Sequence, residues 1–388
     1  MPSFSQPVTV RMLAIAVVAV VSASISEHCL GADPVRFTSE ASCASSSCHG
    51  GGKANGQCLI WEHADVHHNL APAILSVARS TTLAENLGIH DATKDARCTV
   101  CHDPLQSMPA KNFVPGVNLE TREKGVSCET CHGPAESWLR FHTRPDVTHA
   151  QMIAAGMREM IDLYHRANVC VSCHQNVDAD LIKSGHPELF FELDGQMIKE
   201  PPHWKEKDTD PWFGPRAWLT GQAVGLRELA WKLAAHPDDT SLQSRAKALA
   251  WLVQKASTGA SGLKDADAGS AKALQTQADG IAQAASKDPW SKERTRALLL
   301  ELASTGDSFK QPAGSKQAKE DQRRRAEVLV PALDRLWRAL LANGASASPD
   351  FEKALQTLGN ETALQDALDL ATFGADVDKA KAALQHLN

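Results

Sequence analysis

Four times along a chain of 388 residues, a pair of cysteines is followed at once by a histidine. The strings are Cys43-Ala-Ser-Ser-Ser-Cys48-His49, Cys98-Thr-Val-Cys101-His102, Cys128-Glu-Thr-Cys131-His132 and Cys170-Val-Ser-Cys173-His174. No other feature restricts the fold so tightly. In this pattern both thiols bond to the vinyl groups of one haem, and the adjoining imidazole becomes an axial ligand of its iron. Zinc held by four Cys or His ligands is the rival reading, but a zinc site does not require a histidine directly after every second cysteine. A dithiol redox pair has no use for that histidine either. The first string spaces its cysteines by four residues rather than two; the longer loop still brings both sulfurs to one porphyrin edge. The strings therefore predict four covalently bound haem c groups (iron porphyrins), and a multihaem c-type cytochrome.

The N-terminus supports this from an independent direction. Arg11 precedes an apolar run from Met12 to Val21, and small residues follow in Ser22-Ala23-Ser24-Ile25-Ser26. Charge, short apolar core and small residues describe a secretory signal peptide, and the run is too short to span a bilayer. Cleavage after Ser26 or after Ala32 fits, and residues 1–32 are taken as the leader. Covalent haem attachment takes place on the exported side, so a periplasmic or otherwise exported protein, not membrane-spanning, is expected. Ten cysteines are present. Eight belong to the haem strings, which leaves Cys29 and Cys58, either as a disulfide in an oxidising compartment or with Cys58 as a buried small hydrophobe. A net charge of −6 argues against nucleic acid as a partner.

The two halves differ in character. From Arg216 onward there is no cysteine, and Ala, Leu, Lys and Glu dominate. The link Glu200 to Pro215 is rich in Pro and Trp and cannot be one helix. Beyond it, Leu219, Leu226, Leu229 and Leu233 recur at helical spacing, as do Leu242, Leu249, Leu252 and Val253. Asp288-Pro289 and Ser348-Pro349-Asp350 read as capped helix starts. Residues 257–270 and 304–316 read as loops, and a basic-faced helix is expected from Glu320 to Asn343, ending at Gly344. Six to eight helices in a bundle or short solenoid are predicted. The haem half, rich in Gly and Ser, would make a poor apolar core alone, and four porphyrins replace the missing side chains. The fold class is thus mainly α: a haem-cored cytochrome domain with little regular structure over residues 33–210, then an all-α domain over 211–388.

Three segments carry a resemblance. They are Trp61-Glu-His-Ala-Asp-Val-His67, the string Gly125-Val-Ser-Cys-Glu-Thr-Cys-His-Gly-Pro134 continuing to His142, and His165 five residues before Cys170. Together they resemble the tetrahaem cytochrome c-554 family, whose type member accepts electrons from hydroxylamine oxidoreductase. The likeness covers roughly residues 40 to 180. It implies that His142 caps the first haem, His67 the third and His165 the fourth, while the second haem, on His102, is open to small ligands. The chain departs in the wider first motif, in one extra residue between Trp61 and His67, and in His186. The spacing leaves His63 and His68 as alternatives to His67. His186, between Gly185 and Pro187, either replaces His165 on the fourth haem or closes the second. His90, His149, His203 and His236 are read as exposed or hydrogen-bonding residues, and Met108 as a weaker axial alternative for the second haem.

The distal ligands decide function. A haem with two imidazoles exchanges electrons and is closed to substrates; one without a second ligand binds small molecules. The leading expectation is a periplasmic electron carrier with mostly bis-histidine haems, serving a redox protein donor and acceptor, a membrane quinone-linked cytochrome among the candidates. No catalytic acid–base pair or nucleophile is assigned. The alternative is a small nitrogen-species oxidoreductase acting on nitric oxide or hydroxylamine at a five-coordinate haem on His102, with Arg97 and Asp103 flanking it. A further reading makes the helical half a docking module.

Overall fold

The computed structural model describes residues 35–257, 263 and 266–385. The expected leader and Cys29 lie outside the described residues. The chain is mainly helical, as expected, and the helices fall into two groups by length.

In the first half they are short: α1 Gln57–Ala64, α2 Val66–Ala73, α3 Ala78–Asn86, α4 Ala96–His102, α5 Cys128–His132, α6 His149–Ala154, α7 Leu163–His174, α8 Ala179–Lys183 and α9 Leu193–Lys199. Three of the four Cys-His strings form the last turn or turns of a helix: α4, α5 and α7 each end on their histidine. A helical turn carries both thiols and the ring on neighbouring faces, which suits one porphyrin. The first string is a looped turn, consistent with its two extra residues. Apolar packing here is sparse. One small cluster joins Leu75, Ala84, Ile89, Ala92 and Cys98, and another joins Phe37, Leu105 and Phe113. Buried polar groups do much of the fastening. The carboxylate of Glu129, between the cysteines of the third string, is fully buried and accepts from the backbone of Thr38 (2.9 Å) and Ala135 (2.6 Å). Asp103, directly after His102, is buried against Arg122 (2.6 Å) and accepts from Gly125 N–H (3.3 Å).

The second half comprises α10 Phe213–Ala235, α11 Thr240–Ala256, α12 Ala271–Ala285, α13 Lys292–Ala303, α14 Gly306–Lys310, α15 Lys316–Ala342, α16 Pro349–Thr362 and α17 Leu370–Leu384. All eight predicted leucine and valine positions on α10 and α11 are buried. Side-chain caps begin five of these helices: Asp239, Ser291, Ser315, Ser348 and Asp369 each accept from a first-turn backbone N–H. Two local expectations are corrected. The helix expected at Asp288-Pro289 starts three residues later, because Ser291 supplies the cap. The loop expected over 304–316 contains α14, held by Phe309 against Phe373 (5.0 Å between ring centres).

α10 is the hub, packing on α7, α9, α11, α12 and α15. Residues 217–226 of α10 are buried on every face. Small residues make this possible: a methyl group at Gly221 would stand 2.8 Å from Leu193 Cβ. The large apolar core therefore runs from α10 through Leu193 and Phe191 into Leu163, Ala167 and Val171 of α7, the helix bearing the fourth string. The change of composition near residue 210 is a boundary in sequence; the core itself continues across it.

Candidate haem centres

The histidine of each motif faces another histidine across a similar gap. His49 faces His142 with ring centres 6.2 Å apart, and His102 faces His186 at 6.5 Å. His132 faces His203 at 6.5 Å, and His174 faces His67 at 6.1 Å. Two imidazoles bound to one metal from opposite sides need about 2 Å for each metal–nitrogen bond. Adding about 1 Å from each nitrogen to its ring centre gives a separation of roughly 6 Å. All four pairs meet that requirement, so the residues fit an iron porphyrin between them.

The outward ring nitrogens fit as well. An oxygen acceptor fixes Nδ1–H and leaves Nε2 as the lone-pair donor for a metal. His102 Nδ1 donates to Ala71 O (2.9 Å), His186 Nδ1 to Pro187 O (2.8 Å) and His142 Nδ1 to Trp138 O (3.3 Å). His49 Nδ1 lies 3.1 Å from Gln57 Oε1, and His67 Nδ1 lies 3.1 Å from the buried carboxylate of Asp65. Glu200 completes a close group with Asp65 and His67. The hydrogen bond His67 donates to Asp65 raises the pKa of His67 above its ordinary value, whereas burial lowers those of His102 and His203. Burial takes His132 and His174 down to about 4. A neutral imidazole is the form that ligates a metal, so desolvation favours the ligating state.

The thiols lie close together. Cys101 and Cys173 share a hydrogen bond, as do Cys128 and its neighbours Cys43 and Cys58. Cys131 is within electrostatic reach of Cys170 and Cys173. Motif one thus adjoins motif three, three adjoins four, and four adjoins two. Burial raises the pKa of Cys170 to about 12, and the hydrogen bond from Cys101 lowers that of Cys173 to about 6. Cys58 is buried beside Cys128, and Cys29, its suggested partner, lies outside the described residues.

Several sequence expectations are corrected. His67 stands opposite His174, on the fourth motif, and not opposite His132. His165 is exposed, with Nδ1 2.8 Å from Asp162. It shares α7 with His174, nine residues apart, or about 13 Å along the axis, so the two rings cannot face one iron. His203 was read as an ordinary histidine, yet it faces His132. Its setting in Pro201-Pro202-His203 is as rigid as Gly185-His186-Pro187, and that rigidity was the available signal. His68 is engaged at both ring nitrogens, by Glu62 O and the Glu123 carboxylate, which removes it as an alternative. Tyr164 points away from the motifs and donates to Asp279 of α12 (2.7 Å). Arg97 pairs with Asp95 at the surface rather than serving His102. Trp138 and Trp204 pack edge-on against His142 and His203, and Trp61 lies over His68 and donates to Val126 O.

Residues 36–133 match the family model of cytochrome c554 and c-prime. That stretch is cytochrome c554-like. The matched stretch holds the first three motifs and stops before the fourth and before the helical half. No curated protein and no solved structure matches the chain. As a c-type cytochrome the protein takes part in electron transfer, carries covalently bound haem c and works with redox partners. Cytochromes of this kind are usually exported, and among the described residues no helix of the cytochrome is long and apolar enough to cross a membrane.

Proposed function

We propose that the protein is an exported tetrahaem electron carrier in which every iron is closed by two histidines: His49 with His142, His102 with His186, His132 with His203, and His174 with His67. Haem c supplies reversible one-electron exchange at iron; the thiols of Cys43 and Cys48, Cys98 and Cys101, Cys128 and Cys131, and Cys170 and Cys173 tether it. The observation that carries the reading is the set of four histidine pairs at one spacing. All four pairs recruit residues from distant parts of the chain, which chance packing would not repeat four times.

The chain's own groups do the rest. The outward hydrogen bonds hold Nε2 of His49, His67, His102, His142 and His186 toward the metal, and burial favours the neutral rings of His102, His132 and His174. The motif contacts support a conducting order of first, third, fourth and second motif, so electrons enter and leave at the ends carrying His49 and His102. The pairing of His102 with His186 counts against the nitric oxide or hydroxylamine alternative, which needs an open position on that iron. Orientation of the rings adds a fingerprint. The planes of His49 and His142 lie 11° apart, while the other pairs are inclined by 66° to 88°. Parallel imidazoles give a rhombic low-spin resonance and steeply crossed ones a strongly anisotropic signal.

The test is electron paramagnetic resonance of the oxidised protein, with haem counting by mass spectrometry and carbon monoxide titration of the reduced form. Four haems, one rhombic and three strongly anisotropic low-spin signals, and no carbon monoxide binding are expected. A high-spin signal at the haem on His102 would return the oxidoreductase reading, and three haems would strike Cys43 and Cys48 from the tethers.

A further inference from the structure

Two of the four facing histidines, His186 and His203, sit on one strap that leaves α8 and ends where α10 begins. The helical half grips that strap at almost every step. Glu188, two residues after His186, is held by Arg324 of α15 (2.5 Å) and Arg245 of α11 (3.1 Å). Arg245 also donates to Leu189 O (2.6 Å) and lies over the Phe190 ring. Leu193 is fully buried against Gly221 of α10. Arg335 of α15 reaches Asp194 at 3.2 Å and covers Gly195 so closely that a methyl group there would meet its guanidinium. Past His203, Asp208 pairs with Arg216 of α10, and Asn343 donates to Pro211 O (2.9 Å). The expected basic face of α15 is therefore no exposed patch: Arg324 is buried and neutralised by Glu188, Glu320 and Glu327.

A strap of this composition would not hold its shape alone. It contains four prolines and two glycines, one short helix, and few backbone hydrogen bonds of its own. Ordering each residue costs about 1–2 kcal/mol in backbone entropy. Paired charges buried at one geometry oppose that loss and set position more sharply than apolar contact does.

We infer that the helical half is a ligand bracket: through Arg245, Arg324 and Arg335 it fixes the strap so that His186 and His203 close the second and third haems. These arginines are positioning residues that act through the strap. The inference rests on the bis-histidine reading. It gives residues 211–388 a purpose that electron transfer alone does not demand.

The experiment uses full-length, haem-loaded protein. Glu188→Gln keeps the side chain's shape and removes the charge both arginines hold. His186→Ala supplies the reference spectrum of an open second haem. Leu358→Ala, a buried change on α16 away from the strap, lowers stability without touching the bracket. The expected result is that Glu188→Gln gains carbon monoxide binding at one haem, with the high-spin signal of His186→Ala, while Leu358→Ala melts earlier with an unchanged spectrum. If Glu188→Gln fails to accumulate, Arg245→Lys keeps the charge, loses the fork to Leu189 O, and is read the same way. Equal melting losses in Glu188→Gln and Leu358→Ala with every haem still low-spin and inert overturn the bracket and leave the ligation intact. A wild-type protein that already binds carbon monoxide at the haem on His102 overturns both.

Discussion

Asp65→Asn isolates how the protein sets one redox potential. Asp65 caps α2 by accepting from His67 N–H (2.9 Å), and the same oxygen takes the ring Nδ1–H at 3.1 Å. Asparagine keeps an oxygen for the cap and removes only the charge. An iron held by His67 Nε2 would stand one ring width and one coordination bond beyond Nδ1, roughly 7 Å from the carboxylate. One unit charge at that distance is worth about 2.4 kcal/mol at an effective dielectric constant of ~20. With 59 mV for each tenfold change in a one-electron couple, that becomes roughly 100 mV. His67 is partly open to water at 27% side-chain exposure. Screening there brings the expected shift to about 50–100 mV. The sign follows from charge: a carboxylate favours the ferric state, so its loss raises the potential of the haem on His174. Spectroelectrochemical titration of the loaded protein reads all four couples. One couple should rise while the others move little. A fully loaded variant in which no couple shifts, or in which one falls, would refute the coupling of Asp65 to that iron.

Further outcomes follow from the same geometry. His203→Ala should open the haem on His132 to carbon monoxide, while His165→Ala should leave the spectrum unchanged, which separates the structural pairing from the ligand set implied by resemblance. Asp194, buried beside Glu192, has its pKa raised from 3.8 to about 7, chiefly by desolvation. Its folded form therefore holds the proton more tightly than the unfolded chain. The stabilisation is complete below about pH 4 and is lost as pH rises through about 7. Urea unfolding at a series of pH values should show that decline, and Asp194→Asn should flatten it. Protein made without haem attachment should be cut quickly by protease before α7 and slowly from α10 onward. Among the described residues, only the later segment has a continuous apolar core, and peptide mapping of the digest checks it.

The sequence by itself determined the haem chemistry and the helical second half. Covalent attachment is a local event: two thiols and a ring must lie within a turn or two of backbone, so Cys98-Thr-Val-Cys101-His102 declares its purpose without a partner. Leu219 to Leu233 and the cap at Ser348 are equally local, since periodicity and capping act over one to four turns. Tertiary structure brought together the histidines proposed as second ligands. His67 meets His174 across more than a hundred residues, and His203 meets His132 because a strap fastened by Arg245, Arg324 and Arg335 brings it there. Nothing adjacent to a distal histidine marks the iron it will reach. His165, next to a motif and plausible by spacing, is excluded by the rise of the helix it shares with His174; His203, remote and unremarked, is carried into place. An axial bond is short, but the chain path that closes it runs through the packing of the whole molecule.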